Sequence, residues 1–371
     1  MPPIAGMAGC PLRKVANDLE DSLKSNVEHG VRDEYYARMA RSGLTPLWTV
    51  MAETVPHEPV PACKPAFWRY AHDIRPALVE AGALISAEEA QRRVLILNNP
   101  SLQRGATRTL LCAMQLIKTG EIAPAHRHTQ SALRLVIEGD GAYTSVNGEK
   151  TYMRPGDFIV TPAWTWHDHG KESEGSMIWL DGLDIPLVNH LGATFSEEYG
   201  SPQVAESTKP DHSIACYGSG LLPLDPVVST HHSPVFSYPY AKAREALELL
   251  RRENKWDRCH GLKMKYANPL TGGHVLPTIA SFIQLLPRGF SGASYRSTET
   301  TVVSVVDGSG RARVGDQVST FGRNDVFVIP NWTWASIETE EDTVMFSYSD
   351  RATLEKLALF REQRKSAGVP V

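Results

Sequence analysis

The stretch AHRHTQSALRLVIEGDG, residues 125–141, sets His126 and His128 either side of an arginine, at the head of an apolar run that ends in a glycine turn. Residues two apart on a β-strand point to the same side of the sheet. An H-x-H pair on a strand therefore delivers two imidazoles to one place, which is how a protein grips a divalent metal. Two solvated histidines beside a loop are the plainer alternative, and the pair alone leaves both open. The surrounding elements must decide.

From about Arg108 to Leu183 the chain runs in short alternating or apolar segments, RTLLCAMQLI, ALRLVIEG, GAYTSV, KTYM, DFIVTP and SMIWLDGL, each bounded by Gly, Pro, Asn or Asp. Many short strands with turns between them predict a sandwich or barrel. Residues 240–254, YAKAREALELLRREN, predict a linking helix, after which SFIQLLP, TTVVSVVDG, RARVG, DVFVIP and TVMFSYS repeat the strand texture. Helical spacing also marks PLRKVANDLEDSLKSN and VRDEYYARMARSG, with Gly30 and Gly43 as their stops, and the terminal segment ATLEKLALFREQRK. At 371 residues the chain is expected to form two units of ordinary size.

The two strand-rich regions are copies of one unit. VIEGDG (136–141) matches VVDGSG (305–310) at a separation of 169 positions, and GDFIVTPAWTWHD (156–168) matches NDVFVIPNWTWAS (324–336) at 168. The repeat is an internal control: what both copies keep is demanded by the fold, and what one keeps is free to be function. Both keep the Gly-x-Gly turn, a proline (Pro162, Pro330) and the WTW triplet, so Trp164, Trp166, Trp332 and Trp334 are read as packing residues. The histidines differ. His126, His128 and His167 correspond to Tyr295, Ser297 and Ala335, so three imidazoles occur together in the first copy and are absent together from the second. Joint loss is what a shared job predicts, and metal binding becomes the favoured reading.

Composition narrows the partners. With 38 Lys+Arg against 42 Asp+Glu the formal charge is −4, and no basic run with interleaved aromatics occurs, so nucleic acid is not an expected partner. Five cysteines without a CxxC pair predict reduced thiols and a cytoplasmic location. No run of 18 apolar residues and no basic-then-apolar start is present, so neither a membrane nor an export signal is expected.

GEIAPAHRH resembles the first cupin motif, and MRPGDFIVTPAWTWHDHG the second, so the chain is similar to a bicupin. The glutamate ligand usual in cupins has no counterpart in TQSALR. Three neutral histidines would leave a divalent ion's charge uncompensated, which favours an anionic chelating substrate over water. The donors themselves suit Zn, Cu, Fe and Ni alike. GEIAPAHRHTQSALRLVIEGDGAY, PGDFIVTPAWTWHDHG, WLDGLDIP, LTPLWTVM and RRVLILNNP together resemble gentisate 1,2-dioxygenases and their relatives acting on 1-hydroxy-2-naphthoate and salicylate, from about residue 34 onward.

That resemblance implies an all-β fold with peripheral helices, a bicupin of two double-stranded β-helix (jelly-roll) barrels. The implied division is residues 1–100 as a helical arm and substrate-site segment, 101–200 as the metal-binding cupin, 201–275 as a linker with a helix, and 276–371 as a metal-free cupin with a terminal helix. It further implies one Fe(II) per chain in the first cupin, and a small aromatic hydroxy acid and O2 as substrates. Gentisate (2,5-dihydroxybenzoate) would be cleaved between its carboxyl-bearing and hydroxyl-bearing carbons to maleylpyruvate by a homotetramer. A 1-hydroxy-2-naphthoate or salicylate 1,2-dioxygenase, a metal-binding cupin without catalysis, and a Zn or Mn isomerase or hydrolase are the competing functions.

Arg134 shares the parity of His126 and His128, so on an unbroken strand it faces the same cavity, where its fork could hold a carboxylate; a strand-face arginine is the alternative. By resemblance Arg92 is a second carboxylate-binding group, with Arg93 pointing away, and Gln115 an amide near the substrate or else a polar surface residue. His169, two beyond His167, is read as a proton shuttle or a structural histidine. Asp181 is read as the acceptor orienting it, or as a turn residue. His190, His212, His231, His232, His260 and His274 match no ligand spacing and are expected at surface or structural positions.

Overall fold

The computed structural model describes residues 29–225 and 231–365. The first expected helix and Cys10 lie outside them. Residues 29–41 are helical straight through Gly30, so that glycine is not a stop. Gly43 is one: with φ +68 it lets Leu44 N–H reach back to Met39 O at 2.9 Å. Among the described residues, those up to Pro59 form one compact unit and those from Val60 onward another.

Within the second unit each repeat closes a jelly roll of one six-stranded and one five-stranded sheet. In the first barrel the six strands run Ser237–Tyr238, Phe158–Thr161, Ala132–Glu138, Ser176–Leu183, Leu111–Lys118, Arg93–Ile96. The five run Ser196–Glu198, Ile122–His128, His167–Lys171, Ala142–Val146, Glu149–Tyr152. The second barrel repeats this order with Ala66–Trp68, Val326–Ile329, Thr301–Asp307, Thr343–Ser349, Ala280–Leu286 and Leu262–Lys265 facing five strands that end on Glu362–Arg364. The bicupin is therefore as expected. The terminal segment is not: its helix stops at Lys356, and residues 362–364 pair with Tyr295–Ser297.

The two six-stranded sheets share one core. Leu133, Leu135, Phe158, Val160, Ile178 and Leu180 of the first pack in a single cluster with Ile283, Leu285, Val302, Val328, Val344 and Phe346 of the second. Each strand there is buried on both faces, one toward its own barrel and one toward the other, and so reads as an apolar run. Gly310–Val314, in a five-stranded sheet, alternates because one face meets water. Edges are exchanged as well. Ala66–Trp68, ahead of the first repeat, completes the second barrel's sheet, and Ser237–Tyr238, ahead of the second, completes the first's. Two sequence repeats thus fold into one packed unit rather than two independent ones.

The retained turn has a steric cause. Gly139 and Gly308 sit at φ +86 and +94, and a Cβ on either would collide with the start of the neighbouring strand in the six-stranded sheet, at Ser176–Met177 and at Thr343. Two buried aspartates at equivalent positions brace the halves. Asp184 accepts Ser131 N–H at 2.9 Å in its own barrel and the Thr278 hydroxyl from the other repeat. Asp350 accepts Thr300 N–H at 2.9 Å and the Thr109 hydroxyl at 2.7 Å in the same crossed manner.

Burial pushes the Asp184 carboxyl up to about 6 against its hydrogen bonds. A pKa raised above the unfolded value of about 3.9 means that this group's contribution is fully present below about pH 4 and lost as pH rises through 6. Asp184→Asn cannot ionise, so relative to wild type it should gain about 2–3 kcal/mol between about pH 4 and pH 7, measured by denaturant unfolding at each pH. A constant difference across that range would refute the assignment.

Candidate metal centre

His126 and His128 lie on the strand Ile122–His128, and His167 opens the neighbouring strand directly opposite His126. The three rings meet with centroids 4.2–5.3 Å apart, and one nitrogen of each lies within 4.8 Å of the others. No other group of three or more His, Cys, Asp or Glu among the described residues converges in this way.

The second nitrogen of each ring is already engaged. Nδ1 of His128 lies 2.9 Å from Gln130 O, Nδ1 of His167 2.9 Å from Thr165 O, and Nδ1 of His126 3.2 Å from Pro124 O. Donation from Nδ1 to a carbonyl two residues away leaves the Nε2 lone pair free, the tautomer a metal ligand needs. At His126 a guanidinium competes, since Arg92 Nη2 lies 2.7 Å from both Pro124 O and His126 Nδ1. Burial, and then the Arg92 charge, takes the His126 imidazole down to about 3. Burial takes His128 down to about 4 and His167 well below its ordinary value. All three are neutral near pH 7, as coordination requires. Uncharged and convergent, with the tautomer set by a backbone carbonyl at His128 and His167, the donor set fits a divalent transition metal.

Outside the ligand face, both repeats keep one arginine stacked on the two tryptophans of the WTW triplet. Arg127, between the two ligands, points to the opposite side, where its guanidinium is sandwiched 4.4 Å from the rings of both Trp164 and Trp166 and paired to Glu197 at 2.5 Å. Trp164 adopts φ +62, a conformation a bulky side chain avoids, and its N–H bonds His128 O at 2.8 Å. The second copy does the same with Arg296 between Trp332 and Trp334, φ +52 at Trp332, and Trp332 N–H on Ser297 O at 2.6 Å. These tryptophans are half-buried cation sandwiches, not core packing as expected. Tyr295 pairs with Ala335 just as His126 pairs with His167, so the second copy preserves the frame without the donors.

Arg134 lies in the layer beneath the histidines and is buried. The parity argument for it fails, because the strand breaks at 129–131 and the chain crosses to the other sheet. Its inward position comes from pairing opposite Asp181. Its Nε faces Asp181 Oδ1 at 3.1 Å, Nη1 donates to Thr161 Oγ1 at 2.6 Å, and Nη2 lies 2.9 Å from His169 Nε2. His169 Nδ1 is 3.0 Å from the Thr144 hydroxyl. Two sequence expectations are corrected here. Asp181 orients Arg134, with Trp179 Nε1 donating to its other oxygen at 3.1 Å, and does not touch His169. His169 has both nitrogens occupied, and burial and Arg134 hold its pKa well below the ordinary value, so it is not placed to take up a proton.

Arg92 and Gln115 share the lining of a small cavity at the edge of this barrel. Arg92 Nε is buried without a hydrogen-bond partner, and the Gln115 amide makes no hydrogen bond among the described residues. Arg93 points the other way, onto Glu121 at 2.5 Å. Thr144, Thr161, Trp179 and Arg127 escaped the sequence reading. Their only signal is cross-strand register, which strand texture does not carry.

His126→Ala, His128→Ala and His167→Ala should each reduce bound metal from one ion per chain to near zero, measured by elemental analysis after desalting. Ser297→Ala, at the equivalent position of the second barrel, should leave it at one.

A cupin domain model matches residues 113–183. The chain is 48% identical over 336 residues to gentisate 1,2 dioxygenase 1 of Aquipseudomonas alcaligenes, spanning 90% of this chain and 96% of that one. It is 35% identical to 5-aminosalicylate 1,2-dioxygenase of Comamonas sp, over 91% of each chain. A crystal structure of salicylate 1,2-dioxygenase from Pseudoaminobacter salicylatoxidans, as an adduct with gentisate, superposes with a TM-score of 0.84 at 30% identity, covering 90% of this chain and 94% of that one. The paired jelly rolls, the three-histidine centre in the first and these likenesses along nearly the whole chain agree: the protein belongs to the bicupin family of ring-cleaving dioxygenases that includes the gentisate and salicylate 1,2-dioxygenases.

Proposed function

We propose that the protein opens gentisate with O2 to give maleylpyruvate, using one Fe(II) per chain held by His126, His128 and His167. The observation that carries this is the pairing of three uncharged donors with a buried guanidinium beside Asp181 that contacts His169, whose ring lies 5.9 Å from that of His167. Ferrous iron supplies a common point of chelation for the hydroxy acid and dioxygen and a path for electrons between them.

The protein's own groups prepare that meeting. Because no carboxylate joins the imidazoles, the chain adds no negative charge to the site, and an anionic chelate is favoured over water. Arg92, partly buried and with Nε unsatisfied, is the group that receives the substrate carboxylate. Gln115 offers an amide on the same cavity lining and orients the ring substituents. Arg134 contributes a fixed cation in low dielectric, set by Asp181, Thr161 and His169 before substrate arrives. His169 acts as a positioning residue for that guanidinium. A relative named for gentisate at 48% identity favours this acid over 1-hydroxy-2-naphthoate or salicylate. The cytoplasm and a tetramer complete the proposal. Four free thiols among the described residues suit a reducing compartment, and the exposed Leu47, Trp48 and Met51 on the helix Leu47–Thr54 offer an apolar face for a neighbouring subunit. No helix among the described residues is long and apolar enough to cross a membrane.

Apoprotein loaded anaerobically with Fe(II), mixed with gentisate and then given O2 should take up one O2 per ring-opened product. Turnover of salicylate or 1-hydroxy-2-naphthoate in preference to gentisate would reassign the substrate. Absence of oxygen uptake with all three would remove the proposal. Arg134→Met strands the buried Asp181 carboxylate, and kcat/KM for gentisate should fall by the equivalent of about 2–5 kcal/mol, roughly thirtyfold to several thousandfold, with the fold checked by circular dichroism.

A further inference from the structure

A cavity lies away from the metal centre. It opens in the second barrel, has a volume of about 750 Å³, and is lined by His260, Lys263, Tyr295, Glu299 and Arg351 among others. A smaller space of about 60 Å³ continues from it past Gln284 and Ser347 into the barrel. Tyr295, Ser297 and Ala335 stand where the first repeat has His126, His128 and His167, so this smaller space, at the inner end of the cavity, occupies in this barrel the place that the three-histidine centre occupies in the first.

The charged residues lining it are peculiar to this copy. Lys263 pairs opposite Gln284 exactly as Val94 pairs opposite Gln115. Glu299 corresponds to Gln130, His260 to Gln91, and Arg351 to Ile185. By the same comparison that singled out the metal ligands, a charged set present in one repeat only is not required by the fold. Most of its members are already paired. Glu299 accepts hydroxyls from Ser297 at 3.2 Å and Ser349 at 2.6 Å, with Arg351 3.9 Å away. Arg351 is held by Glu355 at 2.7 Å, and that same carboxylate takes His274 at 2.8 Å. Arg364 is bound to Asp257 at 2.5 Å, and Lys255 and Lys265 are exposed to water.

Lys263 is the exception. Among the described residues its ammonium has no hydrogen bond and no acidic partner within ion-pair distance, and its nearest companion is the Phe282 ring, 4.6 Å from Nζ to centroid. It is half-buried, on an edge strand of the six-stranded sheet, and faces the cavity. An ammonium with no acceptor among the surrounding side chains keeps its three donors free for an anion that enters the cavity.

We propose that the metal-free barrel is a second ligand site, which binds a small oxyanion, a carboxylate or a phosphate, on Lys263 with Arg351 at the rim. No bond is made or broken there. The site is independent of the chemistry proposed for the first barrel.

The test is calorimetric titration of metal-loaded enzyme and, in parallel, of the metal-free His126→Ala variant, with succinate and, separately, with inorganic phosphate. Saturable binding at one site per chain is expected in the metal-free variant, where no ion can take the anion, and the anion preferred identifies the source. Lys263→Met should weaken that binding at least tenfold while melting temperature and ring-cleavage turnover stay at wild-type values. Lys263→Arg, which keeps the charge in a roomy cavity, should retain it. The proposal is overturned if neither anion binds the wild type, or if binding is undiminished in Lys263→Met. Because turnover is followed in the same samples, loss of this site and failure of the proposed gentisate activity are told apart.

Discussion

Everything at the metal centre depends on three imidazoles being uncharged and aimed at one point. A histidine near a surface titrates around neutrality and rotates freely. Here each ring is tied by Nδ1 to a carbonyl two residues away, and burial keeps the second nitrogen unprotonated. Bonds from the backbone of the ligand's own segment set the tautomer before any ion arrives. The barrel supplies what those local bonds cannot, namely the juxtaposition of His167 with His126 across two strands.

The cost of that juxtaposition is visible in the tryptophans. Trp164 and Trp332 both occupy the left-handed region, a strain worth about 1–2 kcal/mol, and both spend it on an N–H bond to the strand bearing residue 128 or 297. An arginine stacked between two indoles then secures the loop from the outside. Because the second barrel keeps this device without any histidine ligands, it belongs to the frame. The metal site is an addition to a frame that stands without it.

Beneath the ligands the two barrels diverge for electrostatic reasons. The first buries Arg134, Asp181 and His169, while the second has Val303, Ser347 and Ile337 at those positions. A buried guanidinium needs partners for its charge and its donors: the Asp181 carboxylate lies 3.1 Å from Nε, and Thr161 and His169 meet Nη1 and Nη2. That cluster opposes hydrophobic stability and is paid back in a preset field beneath the ligand trio. The large shared core between the sheets, with its crossed Asp184 and Asp350 braces, is what allows such a site to be maintained.

Strand texture, the duplicated unit and the joint absence of three histidines from one copy were legible in the chain, because periodicity and repetition are properties of sequence order. The ligand trio followed from them without coordinates. The partners of Arg134, the occupied nitrogens of His169, the sandwich around Arg127 and the unanswered ammonium of Lys263 were not legible. Each depends on which residues of separate strands lie opposite one another, and sheet order and register are settled only when two barrels close and bury a common core. Parity along one segment placed Arg134 with the ligands on a premise that the break at 129–131 removes, since the chain changes sheets there. Local spacing determines which side of a strand a residue takes, but only the closed fold determines what it meets.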